Sequence, residues 1–245
     1  MYFRELDNQG NTIREYNKED LEKMNTKEWW TEGRQKYLNS LVTTLQPEEL
    51  FQPELRICRG LNTEILVTLA EEYQIQGPVW ALMAGRPLHY LDAFDKFAKG
   101  KFVNCERMIK VLPYLRNQAK KVKQIYPEKK LTVKKGDVFI AAQKVKRNFE
   151  KPVIMDLDGM GSLIKNYDKI LNLVEKDLNP TTKVLFSVTS TLGRGCETKE
   201  EYQVVRKFLT DDINFRRRVI YHCSVEYTEP TYPIRVENFV LDRVV

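Results

Sequence analysis

Residues 152–163 read PVIMDLDGMGSL: an apolar run that ends in two carboxylates, Asp156 and Asp158, followed by two glycines, Gly159 and Gly161. A carboxylate at the mouth of a buried strand can accept a hydrogen bond from an amine or hydroxyl and orient its lone pair for reaction. Glycines beside it let a substrate approach the main chain where a side chain would clash. Asp156 and Asp158 are therefore the catalytic candidates. The same residues also suit a plain strand-end turn in which Asp158 caps the helix that begins near Ser162.

Other chemistries find little support. Neither His89 nor His222 has a GxSxG motif to join, although Ser187, Thr189, Ser190 and Thr191 offer hydroxyls, so hydrolysis is disfavoured. There is no GxxxxGK[ST] phosphate loop. Cys58, Cys105, Cys196 and Cys223 are scattered without a CxxC pair, which argues against a zinc site and against a disulfide framework. His222 and Cys223 are neighbours in a strand-like run, where successive side chains face opposite ways, so they do not share a metal.

At 245 residues, 42% hydrophobic and 30% charged, the chain can bury one sizeable core. No apolar stretch approaches the roughly 20 residues that span a bilayer, and MYFRELDNQG lacks the basic-then-apolar order of a signal peptide. The expectation is a soluble, cytoplasmic protein without membrane or metal.

The net charge of +6 is unevenly spread: residues 96–151 hold 17 Lys plus Arg against 4 Asp plus Glu, and the remainder is net acidic. Lys120, Lys121, Lys123, Lys134 and Lys135 lie in this basic quarter, and Arg216, Arg217 and Arg218 form a second run. Both suit phosphate contacts and make nucleic acid the expected partner. The lysines also fit solvated helix faces, and the arginines a solvated turn. Trp29 and Trp30, in a basic amphipathic segment, suit either base stacking or a core anchor.

These residues need elements to position them. The first sixty residues read as helical, with Asn17 as an N-cap answered by Asp20. GLNTEILVTLAEEY (60–73) carries an apolar stripe of Ile65, Leu66 and Leu69. After Gly77-Pro78 the pattern alternates. VWALMAG (79–85), KFVNCER (101–107), LTVKKGDVF (131–139), PVIMDLD (152–158) and TTKVLFSVTST (181–191) read as strands, with helices between them at 88–100, 108–126, 141–149 and 162–178. Apolar strands alternating with helices predict an α/β, Rossmann-like, mostly parallel sheet covered on both faces. Residues 217–229 and 232–245 are strand-like and separated only by Pro230 and Thr231, which predicts a C-terminal antiparallel hairpin. Residues 1–76 are read as a helical N-terminal extension and 77–245 as the α/β domain.

This order, five strand-and-helix units and a terminal hairpin, resembles that of class I S-adenosylmethionine-dependent methyltransferases over residues 79–245. DLDGMGS is similar to the DLDPFGS motif of tRNA guanosine N2,N2-dimethyltransferases, with Asp158, Gly161 and Ser162 matching and Gly159 and Met160 standing in place of Pro and Phe. The resemblance implies S-adenosylmethionine as cofactor and RNA ahead of DNA as substrate. It implies that Ala84 and Gly85 close the first motif, that Glu106 binds the ribose, and that Asp137 and Val138 approach the adenine. ALMAGRPLHY departs from the family's first motif, with one glycine and no acidic residue. A methyltransferase for protein or small molecules, and a nucleic-acid-binding or assembly module that has lost the cofactor, remain alternatives.

In an open parallel sheet the ligand sits outside the carboxyl ends of the strands, so Gly85, Glu106, Asp137 and Asp158 are expected to line one crevice. The oligomeric state is left open.

Overall fold

A computed structural model of the chain describes residues 2–25, 53–81, 94, 97, 101–107, 112–125, 127–128, 130–157, 161–192, 198–228 and 233–244. Nine strands form one sheet in the order β2-β1-β8-β9-β7-β6-β3-β4-β5. Five of them, β3 (Val79–Ala81), β4 (Lys101–Glu106), β5 (Lys130–Lys135), β6 (Ile154–Leu157) and β7 (Val184–Thr191), run parallel. Every residue of β3 and β6 is buried, as parallel strands covered on both faces require. The hairpin of β8 (Val219–Thr228) and β9 (Pro233–Leu241) inserts beside β7, with β9 antiparallel to it.

Two apolar layers clamp the sheet. On one face α2 (Pro53–Glu72), with Leu61, Ile65, Leu66 and Leu69, packs on Val79, Phe102, Ile154 and Leu185. Helix α1 (Lys18–Asn25) joins this layer through Leu21, and α3 (Leu112–Ile125) through Leu115. On the other face α4 (Val138–Gln143), α5 (Leu163–Asn172) and α6 (Lys199–Arg216) pack on Trp80, Val103, Met155, Leu157 and Phe186. Each large apolar side chain buried in this way contributes roughly 1.5–3 kcal/mol. Local chemistry starts the helices: Asn17 and Asp20 cap one another's main chain at α1, and Thr198 and Glu201 form a capping box at α6.

The first residues depart from the helical reading. Phe3–Leu6 (β1) and Thr12–Tyr16 (β2) are an antiparallel hairpin, and β1 pairs with β8. The cause is nonlocal: β8 offers an open edge, and Phe3 is buried when its strand fills it. Trp29 and Trp30 lie outside the described residues.

Candidate active site

The strand order fixes where a ligand can enter. The chain passes from β3 outward to β4 and β5, then crosses back to place β6 on the other side of β3. The strand order reverses between β3 and β6, and in an open sheet of this kind a ligand binds outside the carboxyl edge at that switch point.

Glu106 ends β4 and is half-buried at this edge. The Gly136 N–H donates to the Glu106 carbonyl at 2.9 Å, which ties the loop bearing Asp137 to the end of β4. Asp137 is the N-cap of α4: its Oδ1 accepts from the Phe139 N–H at 2.9 Å, and its Oδ2 lies 4.0 Å from the Lys169 ammonium. One carboxylate oxygen thus serves the helix. Val138 turns its side chain into the core beside Trp80 and Val103, leaving its main chain at the loop.

Asp156, the third residue of β6, is buried on the α2 face. It stands opposite Ala81 of β3 and Ser187 of β7, Ala81 stands opposite Asn104 of β4, and Ser187 opposite Asn238 of β9. Because side chains alternate along strands, Asn104, Ala81, Asp156, Ser187 and Asn238 form one transverse row facing α2. The row is buried throughout, and Asn238 Nδ2 donates to Asn62 Oδ1 of α2 at 2.9 Å. Sequence reading passed over Asn104 and Asn238 and weighed Ser187 only as a nucleophile, because strand register alone aligns the three.

The strand-end motif continues past β6 into α5. Asp158, Gly159 and Met160 lie outside the described residues, as do Ala84 and Gly85. The cap of α5 is Ser162, whose Oγ accepts from the Lys165 N–H at 3.1 Å, so the helix does not need Asp158 as its cap. Gly161 has φ +76°, a left-handed conformation that suits glycine, and its carbonyl accepts from the Thr191 N–H at the end of β7.

The predicted basic residues fall in different places. Lys134 and Lys135 end β5 beside the crevice; Lys134 lies 4.5 Å over the Trp80 ring, and Lys135 is exposed opposite Glu106. Lys120 and Lys123 are exposed on α3, which runs back from the carboxyl edge, and the Lys121 side chain lies outside the described residues. Arg216, Arg217 and Arg218 lie at the opposite edge of the sheet, where β8 begins. Arg217 is buried and donates to the carbonyls of Asp242 and Thr182, so it holds the chain's end rather than facing solvent. Arg216 is within 3.6 Å of Glu175, and Arg218 is largely exposed.

Among the described residues no helix is long and apolar enough to cross a membrane, and no cluster of His, Cys, Asp and Glu could hold a metal.

No protein-family model and no curated protein matches the chain. Solved structures do. The O-methyltransferase from Bacillus cereus in complex with SAH (S-adenosylhomocysteine) is 14% identical, covering 84% of this chain and 90% of that one, with a TM-score of 0.53. The chain shares the Rossmann-like fold of that methyltransferase. A putative RNA methyltransferase from Pyrococcus horikoshii is 16% identical over 75% of this chain and 82% of that one, with a TM-score of 0.47.

At this edge Glu106 presents a carboxylate, the loop at Asp137 and Val138 presents main chain, and Asn104 keeps both side-chain polar atoms without a protein partner.

Proposed function

We propose that the protein is an S-adenosylmethionine-dependent methyltransferase acting on nucleic acid, with RNA ahead of DNA. One observation carries this reading. Glu106, Asp137 and Asp156 arise from strands far apart in the chain, yet stand at one edge of the sheet around its switch point. The shared fold with an O-methyltransferase solved with S-adenosylhomocysteine supports the cofactor. The likeness of DLDGMGS to the tRNA dimethyltransferase motif favours RNA. Lys134 and Lys135 at the crevice edge supply cations for phosphates. Cytoplasmic residence suits the buried thiols of Cys105 and Cys223, which form no disulfide.

When bound, the cofactor would supply an electrophilic methyl group on a sulfonium. The protein's task is then alignment. Glu106 holds the nucleoside, and Asp158, two residues after Asp156 in the sequence, accepts a hydrogen bond from the acceptor amine or hydroxyl and aims its lone pair. Burial of Asp156 keeps bulk water from the floor of the crevice.

A second reading has a specific feature behind it. At the end of β3 stands Ala81, and the following LMAGRPLHY supplies one glycine and no acid, as in a methyltransferase fold turned to binding or assembly. Calorimetric titration with S-adenosylhomocysteine separates the two: binding supports the enzyme, and absence of heat supports the module. Transfer of a labelled methyl group to RNA, lost in Asp158→Ala while cofactor affinity is kept, would establish the activity. Unchanged turnover in Asp158→Ala removes the catalytic assignment.

A further inference from the structure

The transverse row beneath the crevice contains polar groups that no protein atom meets. Asn104 is fully buried, and neither its amide nitrogen nor its carbonyl oxygen has a hydrogen-bond partner. Ser187 Oγ is in the same position, and Asn238 satisfies its nitrogen through Asn62 while its oxygen is unmet. Leaving such a group unmet costs about 1–3 kcal/mol each, and buried polar groups in folded proteins nearly always find protein, water or ligand. Four unmet atoms from three strands in one register row are too concentrated for a packing accident.

Their place in the row indicates the ligand. Asn104 and Asp156 stand on either side of Ala81, whose side chain ends at Cβ. With strands about 4.8 Å apart, the two polar residues are separated by roughly 10 Å, with only the methyl group of Ala81 between them at the switch point. A guest there meets an amide that donates and accepts on one side and a carboxylate on the other. A zwitterionic amino-acid group matches this: its carboxylate takes the Asn104 N–H, and its ammonium takes the Asn104 carbonyl and the charge of Asp156.

We infer that Asn104, with Asp156 across Ala81, binds the amino-acid end of the sulfonium cofactor, directly or through one ordered water. Ser187 stands beside Asp156 on the next strand. The inference rests on the methyltransferase reading and adds to it a binding residue in the middle of a strand.

The test uses two ligands that share a thioether nucleoside. S-Adenosylhomocysteine carries the amino-acid end, and 5′-methylthioadenosine lacks it. In calorimetry on the full chain, Asn104→Leu is expected to weaken S-adenosylhomocysteine by about tenfold or more and to leave 5′-methylthioadenosine within about twofold. Without ligand, Asn104→Leu should melt at or above the wild-type temperature, since it removes a buried polar group that nothing meets. If Asn104→Leu does not fold, Asn104→Ala is titrated with the same pair and should show the same split. Equal loss for both ligands, or no loss for either, overturns the inference alone. Wild type that takes up neither ligand overturns the methyltransferase reading and this inference with it.

Discussion

His222 and Glu237, diagonal neighbours on antiparallel strands, share a 2.6 Å hydrogen bond inside the protein, and the His222 ring lies stacked on Phe239. Glu237 also accepts from the Tyr202 hydroxyl and from Ser224 Oγ at 2.7 Å, and the Arg206 guanidinium lies 3.0 Å away. Burial pushes the Glu237 carboxyl up, but the hydrogen bond from His222, the charge of Arg206 and the Tyr202 hydroxyl outweigh it, and the net direction is down. A carboxylate lowered by folding stabilises the protein above its unfolded pKa, and that stability is lost as pH falls through the lower, folded value. Wild type should therefore lose melting temperature in acid below the ordinary carboxylate range. Glu237→Gln should lack that component and be less stable at neutral pH, by at most about 3–5 kcal/mol, because it leaves the half-buried Arg206 without its counter-charge. Melting curves across pH for both proteins check this.

Arg217 illustrates a cation that serves the fold. Burial lowers its pKa to about 10, while Asp242 acts in the opposite sense. Its guanidinium holds the carbonyls of Asp242 and Thr182, pinning the end of β9 to the segment before β7. Arg217→Ala should cost roughly 1.5–3 kcal/mol in denaturant unfolding and leave RNA affinity unchanged. Weaker RNA binding by a folded Arg217→Ala protein would contradict this placement.

Lys134 and Lys135 carry the opposite expectation. They end an edge strand, where lysine also discourages pairing with other sheets. If they hold phosphates, the double substitution Lys134→Glu and Lys135→Glu should weaken RNA binding and flatten its dependence on salt by about two phosphate contacts. An unchanged salt slope would leave them as edge guards.

Much of the sheet was legible because its signals are local. Apolar runs such as VLFSV and VIMDL announce buried strands, and Asn17 with Asp20 announces α1. What escaped depends on partners distant in sequence. FREL and TIREY are short and charged, and become strands because β8 offers an edge more than 200 residues away. Helix α6 was passed over although Thr198 and Glu201 supply its capping box. Glu237 looks like an ordinary charged residue of a strand until Tyr202, Arg206, His222 and Ser224 converge on it. Likewise, Glu106 and Asp137 stand out as acids at strand ends, whereas Asn104 gains meaning only through its register with Ala81 and Asp156.

Two glycines mark where the backbone restricts the sequence. At Gly77 an added Cβ would lie 2.5 Å from Val153 Cγ2, at the point where the chain enters β3 beside β6. At Gly161 nothing crowds the position, but φ is +76°. Gly161→Ala should therefore cost only the left-handed conformation, about 1–2 kcal/mol. Gly77→Ala, at φ +154° and against Val153, should cost more and be relieved in part by Val153→Ala in a double-mutant cycle. Additive costs would show that the contact at Val153 is not the cause.

Glu106 and Asn104 should separate two halves of one ligand. Glu106 ends its strand and Asn104 lies two residues below it on the same face, so both are set by the register of β4. A carboxylate that accepts both ribose hydroxyls acts on any ligand with that sugar, whatever follows the sulfur. Glu106→Ala should accordingly weaken S-adenosylhomocysteine and 5′-methylthioadenosine alike, by about a hundredfold for two hydrogen bonds to a charged group. Titration of 5′-methylthioadenosine and its 2′-deoxy analogue completes the check, since the analogue has lost one hydroxyl and should distinguish wild type from Glu106→Ala less. A Glu106→Ala protein that binds both nucleosides as wild type does would place the ribose elsewhere and remove Glu106 from the site.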